Sequence, residues 1–142
     1  MAKQLDRWDV LRTQIIVELE KKQDFDFLIT LYLYEKEVGL ALAMLQRLPQ
    51  HWGEHGLHLE VARAAKKQYP QESIRIFEQE AERFINDRNR GSYSQAAVCL
   101  REIRDIYRQL NETQAWQNLI TGVRDRHKRL PALQDELNQL KL

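Results

Sequence analysis

Leu5, Trp8, Leu11, Ile15 and Leu19 recur every three or four positions, with charged and amide residues filling the gaps. That spacing is the period of an amphipathic α-helix, and it predicts a first helix over 3–22 with these five residues as its buried stripe. Asp24 is placed to cap a second helix over 25–37, whose inward face is expected to be Phe27, Leu28, Leu31 and Tyr34. A third helix, over 38–48, carries Leu42, Ala43 and Leu45 and stops before Pro49, because the residue before proline is pushed out of helical geometry. Residues 50–56 read as a loop that holds Trp52 between glycine-marked breaks.

The second half is patterned more clearly. A fourth helix is expected over 57–68. Pro70 suits the first turn of a fifth, with the stripe Ile74, Phe77, Ala81, Phe84 and Ile85. Gly91 is expected to end that helix, and Ser92 with Gln95 has the spacing of a capping box opening a sixth. Ala96, Leu100, Ile103, Tyr107 and Leu110 line the sixth. Asn111 is expected to cap a seventh, with Trp116, Leu119, Ile120 and Val123 facing inward. Pro131 opens a last short helix bearing Leu133, Leu137 and Leu140. Val, Ile and Thr never gather into an alternating run, so no strand is expected.

Eight helices with short connections favour antiparallel neighbours. A small residue recurs early in three of them, at Ala41, Ser73 and Ala96, each followed by apolar residues. Small side chains let a neighbouring helix approach closely, as the second helix of a repeat must. The spacings are 32 and 23 residues, and only the first is near a tetratricopeptide length. The expectation is a single all-α domain over 1–142: about eight helices in antiparallel pairs, forming an irregular tetratricopeptide-like α-α superhelix, with an irregular helix bundle as the alternative.

Composition narrows the function. Hydrophobic residues make up 43% and charged residues 30%, with only five Gly and three Pro, which suits long helices around a core. The 22 cations and 21 carboxylates leave a net charge of +1, which speaks against a dedicated polyanion or membrane binder. One cysteine excludes a disulfide within the chain and fits a reducing compartment. The first ten residues hold no apolar leader core, and the apolar run at 40–45 is too short to span a bilayer, so a cytoplasmic location is expected.

Candidate chemistry is sparse. His51, His55 and His58 lie within eight residues, beside Glu54 and Glu60. They are the only metal candidates, yet Gly53 and Gly56 leave the geometry loose and no cysteine is near to complete a closed site, so no metal is expected. Cys99, with no histidine one turn away, reads as a buried structural thiol. His127 is placed to bond the last carbonyls of its helix. Of the carboxylates Glu78, Glu80 and Glu82, the first and last are expected to be solvated. There is no phosphate-binding glycine loop and no nucleophile elbow. No catalytic residue and no cofactor are expected.

The cations are unevenly spread. Residues 63–130 hold 14 Lys and Arg against 9 Asp and Glu, and the rest of the chain 8 against 12. Arg101, Arg104 and Arg108 share one helix face. Arg124, Arg126, Lys128 and Arg129 cluster at the end of the next helix, and Arg88 and Arg90 precede both. This basic face could track phosphates. Asp105 and Glu112, each four residues beyond an arginine, could instead neutralise it in place.

The order of motifs in the second half has a further meaning. Tyr69-Pro70-Gln71-Glu72-Ser73-Ile74-Arg75-Ile76-Phe77 leads to Ala81-Glu82-Arg83-Phe84-Ile85. Arg88-Asn89-Arg90-Gly91-Ser92-Tyr93-Ser94-Gln95-Ala96-Ala97, Trp116 and Arg129-Leu130-Pro131-Ala132-Leu133 follow. This series resembles the C-terminal helical region of bacterial SWIM zinc-finger proteins, and Trp8, Leu11 and residues 27–45 fit its upstream part. The zinc module of that family, a Cys-x-Cys pair followed by Cys-x-His, needs more cysteines than this chain has, so its function attaches to no residue here. The resemblance implies an accessory helical domain for protein interaction. The leading expectation is therefore a non-enzymatic helical-repeat domain with a protein partner, itself open to homo-oligomerisation. The alternative is a nucleic-acid-associated domain using the basic face at 88–129.

Overall fold

A computed structural model describes residues 2–21, 25–47 and 55–142, with side chains from residue 8 in the first helix and from residue 56 in the fourth. The described residues form eight α-helices and no strand: α1 (Ala2–Lys21), α2 (Phe25–Tyr34), α3 (Val38–Arg47), α4 (His55–Ala65), α5 (Pro70–Asn86), α6 (Arg90–Gln109), α7 (Thr113–Arg126) and α8 (Pro131–Gln139). The chain is all-α, and its packing pairs fit a helical bundle and a superhelix alike. It divides into two compact units, Met1–Leu57 and His58–Leu142.

In the first unit α2 packs on α3 and on α1. Leu28, Ile29 and Tyr32 of α2 meet Ala41, Leu42, Met44 and Leu45 of α3 in the buried set, while Ala43, expected inside, is exposed. Inward faces differ from expectation in both leading helices. Phe27 and Tyr34 are exposed and Leu31 is half-buried, so α2 buries Ile29 and Tyr32 in their place. In α1, Trp8, Leu11 and Ile15 are exposed, and none of the described side chains at 8–21 is buried. The Leu5 side chain, Asp24 and the loop with Trp52 lie outside the described residues.

In the second unit α6 is the hub. It packs on α5, α7 and α8. Ile74, Phe77, Ala81 and Ile85 of α5 face Ala96, Ala97, Leu100, Ile103 and Ile106 of α6, and the stripes predicted for both helices are buried up to Phe84, Tyr107 and Leu110, which are half-buried. Trp116, Ile120 and Val123 of α7 and Leu133 and Leu137 of α8 complete this core. The three small residues Ala41, Ser73 and Ala96 are all 0% exposed. The Ser73 hydroxyl donates to the Ala62 carbonyl at 2.6 Å, so α5 meets the α4 backbone with no larger side chain between them.

Three helix ends follow one device. Lys36, Asn111 and Lys141 adopt left-handed φ values of 61°, 57° and 58° just past α2, α6 and α8. The amides of Glu37, Glu112 and Leu142 then reach back to the carbonyls of Tyr32, Tyr107 and Leu137 at 2.8, 2.9 and 3.0 Å. This is the Schellman closure, which satisfies carbonyls a helix end leaves orphaned and turns the chain within two residues. Asn111 therefore ends α6; it does not cap α7, whose first residues follow Glu112 without a side-chain cap.

The start of α6 also differs from expectation. Its N-cap is Asn89, whose side-chain oxygen accepts from the Ser92 amide at 2.8 Å. Gly91 lies inside the first turn and α5 already ends at Asn86. Ser92 is the third helical residue, and its hydroxyl lies 3.3 Å from Asp87. Sequence spacing favours Ser92 because a Gln follows three residues later, but Asn is an equally good cap and here has the extended backbone that capping needs. Asn89→Ala is expected to cost about 1 kcal/mol and Ser92→Ala less than about 0.5 kcal/mol. Urea denaturation midpoints of the two variants check the order.

Candidate functional site

Four of the nine residues of the basic face are committed within the second unit. Arg90, at the start of α6, pairs with Asp135 and with Glu136 at 3.1 Å on α8. Arg104 lies 3.4 Å from both the Leu140 carbonyl and the Asp105 carboxylate. Arg124 donates to Gln134 at 3.0 Å, to Asn138 at 3.1 Å and to the Leu142 carbonyl. These three arginines hold α8 at its middle and at its C-terminal end, and the two at that end complement the partial negative charge there. Asp105 takes Arg104 as its partner; the expected pairing with Arg101 is not formed. The side chains of Arg88, Arg101, Arg108, Lys128 and Arg129 make no hydrogen bond or ion pair among the described residues. Arg88, Lys128 and Arg129 lie on the α5–α6 and α7–α8 turns, which adjoin because Arg90 bridges to α8 and Glu82 to α7. At that end five cations (Arg88, Arg90, Arg126, Lys128, Arg129) face five carboxylates (Glu82, Asp87, Asp125, Asp135, Glu136). A balanced end gives a polyanion little net attraction.

Glu82 is half-buried, not solvated. Its two oxygens accept from Arg126 at 2.7 Å and meet His127 Nε2 at 2.9 Å, tying α5 to the end of α7. Burial opposes its charge, but the hydrogen bonds from Arg126 and His127 outweigh burial and hold its carboxyl below the usual range. A depressed folded pKa stabilises the protein above the unfolded carboxylate range, and that stability is lost as pH falls from that range through the lower folded value. Glu82→Gln is expected to cost about 0.5–1 kcal/mol at pH 7, with screening included, because the cluster is partly exposed. The difference should close below about pH 4, as urea midpoints measured across pH will test. Glu80 is buried and pairs with Arg83 at 2.8 Å. A shallow groove of about 530 Å³ along the outer face of α5 is lined by Arg75, Glu78, Gln79, Glu82, Arg83 and Asn86; both charge signs line it and no side chain in it is poised as a nucleophile.

Cys99 is buried, and burial first, then the field of Glu80, pushes its thiol up to about 12. A thiol so held is protonated and a poor nucleophile. His51 lies outside the described residues, as does the side chain of His55, which opens α4; His58 is half-buried on α4. Among the described residues no group of three or more metal-ligating side chains comes together.

A surface that sequence reading missed lies in the first unit. Arg12, Ile16 and Leu19 are the half-buried residues of α1, and they mark the side turned to α2. The Arg12 Nε sits 2.8 and 2.9 Å from the two Glu35 oxygens, with its guanidinium 5.9 Å from the Tyr32 ring. The Glu35 hydrogen bond holds Arg12 more firmly charged, while burial, then the field of Glu20, raises the Tyr32 phenol. Because mid-α1 meets the end of α2 and three residues join their other ends, the two helices run antiparallel. Trp8, Leu11 and Ile15 form an exposed row on α1, and exposed Phe27 and Tyr34, with half-buried Leu31 between them, a second on α2. At about 100° per residue, each row lies roughly 75–100° round its helix from the shared seam, in the same rotational sense. In an antiparallel pair that puts both rows on one face. The signal in the sequence was a surplus: both helices carry apolar residues on more sides than one neighbour can cover.

The chain matches no protein-family model and no solved structure. Over 73 residues, 51% of its length, it is 36% identical to an uncharacterized protein of Bacillus subtilis (strain 168), YwqB. The matched stretch spans 14% of that protein, so the chain corresponds to a small part of this relative. No described helix is long and apolar enough to cross a membrane.

Proposed function

We propose that the chain is a non-enzymatic helical interaction domain and that it binds protein through the apolar face of the α1–α2 pair. The carrying observation is that face: Trp8, Leu11, Ile15, Phe27 and Tyr34 stand exposed together, where surface apolar residues are ordinarily scattered. Two helices side by side with aromatic anchors make the groove into which an amphipathic partner helix lays its apolar side. The groups most able to carry chemistry have other duties: the Cys99 thiol is held protonated and His127 is bound to Glu82. The burial of Ala41, Ser73 and Ala96 supports an irregular superhelical stack as the scaffold, and the motifs of the second half support a place beside SWIM zinc-finger proteins. A Cys-x-Cys and Cys-x-His module on the same polypeptide would establish that kinship.

The test uses the full chain as bait. Co-purifying protein should be lost with Leu11→Asp or Tyr34→Asp and kept with Arg101→Glu plus Arg108→Glu. The opposite pattern, with salt-sensitive binding of duplex or single-stranded DNA, would transfer the function to the basic face.

A further inference from the structure

We infer that the α1–α2 face is closed by the same face of a second copy of this chain, giving a two-fold dimer through paired hairpins. This rests on the interaction reading and assigns its occupant. The exposed fractions are 46% for Trp8, 52% for Leu11, 39% for Ile15, 55% for Phe27 and 86% for Tyr34. At about 200 Å² for a large side chain, they leave roughly 500 Å² of apolar surface open. A standard interface buries about 800 Å² on each partner, of which roughly 56–65% is apolar. The patch therefore supplies the apolar share of a standard-size interface from one side, and a two-fold pairing supplies the same from the other.

Charge permits the pairing. A two-fold axis sets each patch against itself, so a rim of one sign would repel its own copy. Within Met1–Leu57 the sequence holds seven Lys and Arg against nine Asp and Glu, which is close to balance. The charged pair at the seam, Arg12 with Glu35, is already closed within one chain, so neither group has to seek a partner across the interface. The rows themselves hold six apolar residues and no charge.

Light scattering of the purified full chain decides the matter. At about 100 µM, a concentration that populates even a weak specific dimer, the expected mass is twice the 17.0 kDa of one chain. Tyr34→Asp changes a side chain so exposed that folding is unaffected, and it should return the mass to 17.0 kDa with unchanged helical circular dichroism. Leu11→Asp should do the same from the other helix. A wild-type mass of 17.0 kDa at that concentration, or a dimer indifferent to both variants, overturns the assignment. If the wild type is a monomer whose co-purifying protein is still lost on Leu11→Asp, the second copy is the wrong occupant and the interaction reading stands. A monomer with nothing to lose removes both.

Discussion

Phe77→Ala is expected to cost about 3–5 kcal/mol, the range for removing a buried aromatic ring from a packed core. Phe77 is fully buried on α5, where that helix meets α6, and the Lys66 ammonium lies 5.9 Å from its ring centre. Lys66 also pairs with Glu102 of α6, so the ring lies beside an ion pair between the end of α4 and α6. Small domains have only about 5–15 kcal/mol of stability in total. The variant should therefore unfold at a much lower urea concentration. Phe84, two turns along the same helix, is the control. It is half-buried with the Arg83 guanidinium 4.5 Å from its ring, and Phe84→Ala should cost less than half as much. Equal losses at the two positions would place Phe77 outside the core.

Ala96→Leu tests the same interface from the opposite direction. Leucine keeps good helix propensity, so any loss comes from packing. Ala96 is fully buried in the helix that packs most closely on α5, with no room for three further carbons. Overpacking costs about 1–3 kcal/mol. Gln95→Leu, one residue earlier and exposed, should stay within about 0.5 kcal/mol. A neutral Ala96→Leu would mean that α5 and α6 can separate freely, and the small-residue pattern would lose its structural meaning.

How far the sequence could be read differs between the two halves for a physical reason. In α5 and α6 the apolar residues form one stripe against a strongly charged remainder, so one rotation of each helix buries the stripe at the cost of a single buried charge, Glu80, which Arg83 pairs. Ile74, Phe77, Ala81, Ala96, Leu100 and Ile103 were predictable on that ground, and all are buried. α2 is different: its ten residues, Phe25–Tyr34, include only two that are not apolar or aromatic, Asp26 and Thr30. Periodicity has nothing to select there. Rotation is set instead by α3 on one side and by the Arg12–Glu35 contact on the other, two partners that no local spacing reveals.

Ser92 and Glu82 make the same point for polar groups. Ser92 has the spacing of a cap, yet the cap is Asn89, because backbone conformation chooses among neighbouring residues of similar capping ability. Glu82 reads as solvated from α5 alone; Arg126 and His127, more than forty positions later, make it a tie between helices.

By itself, then, the sequence determined the all-α class, the eight helices and most of their limits, since proline, short connections and 3.6-residue periodicity act within a few residues. It also determined the inward faces of α5 to α8, where one apolar stripe leaves one way to pack. Only the tertiary structure decided which sides of α1 and α2 remain open, and that Arg90, Arg104, Arg124 and Arg126 fasten α8 or α7. Those outcomes depend on which surfaces meet across long separations in the chain, and a helix with more apolar sides than neighbours must leave one of them to water or to another protein.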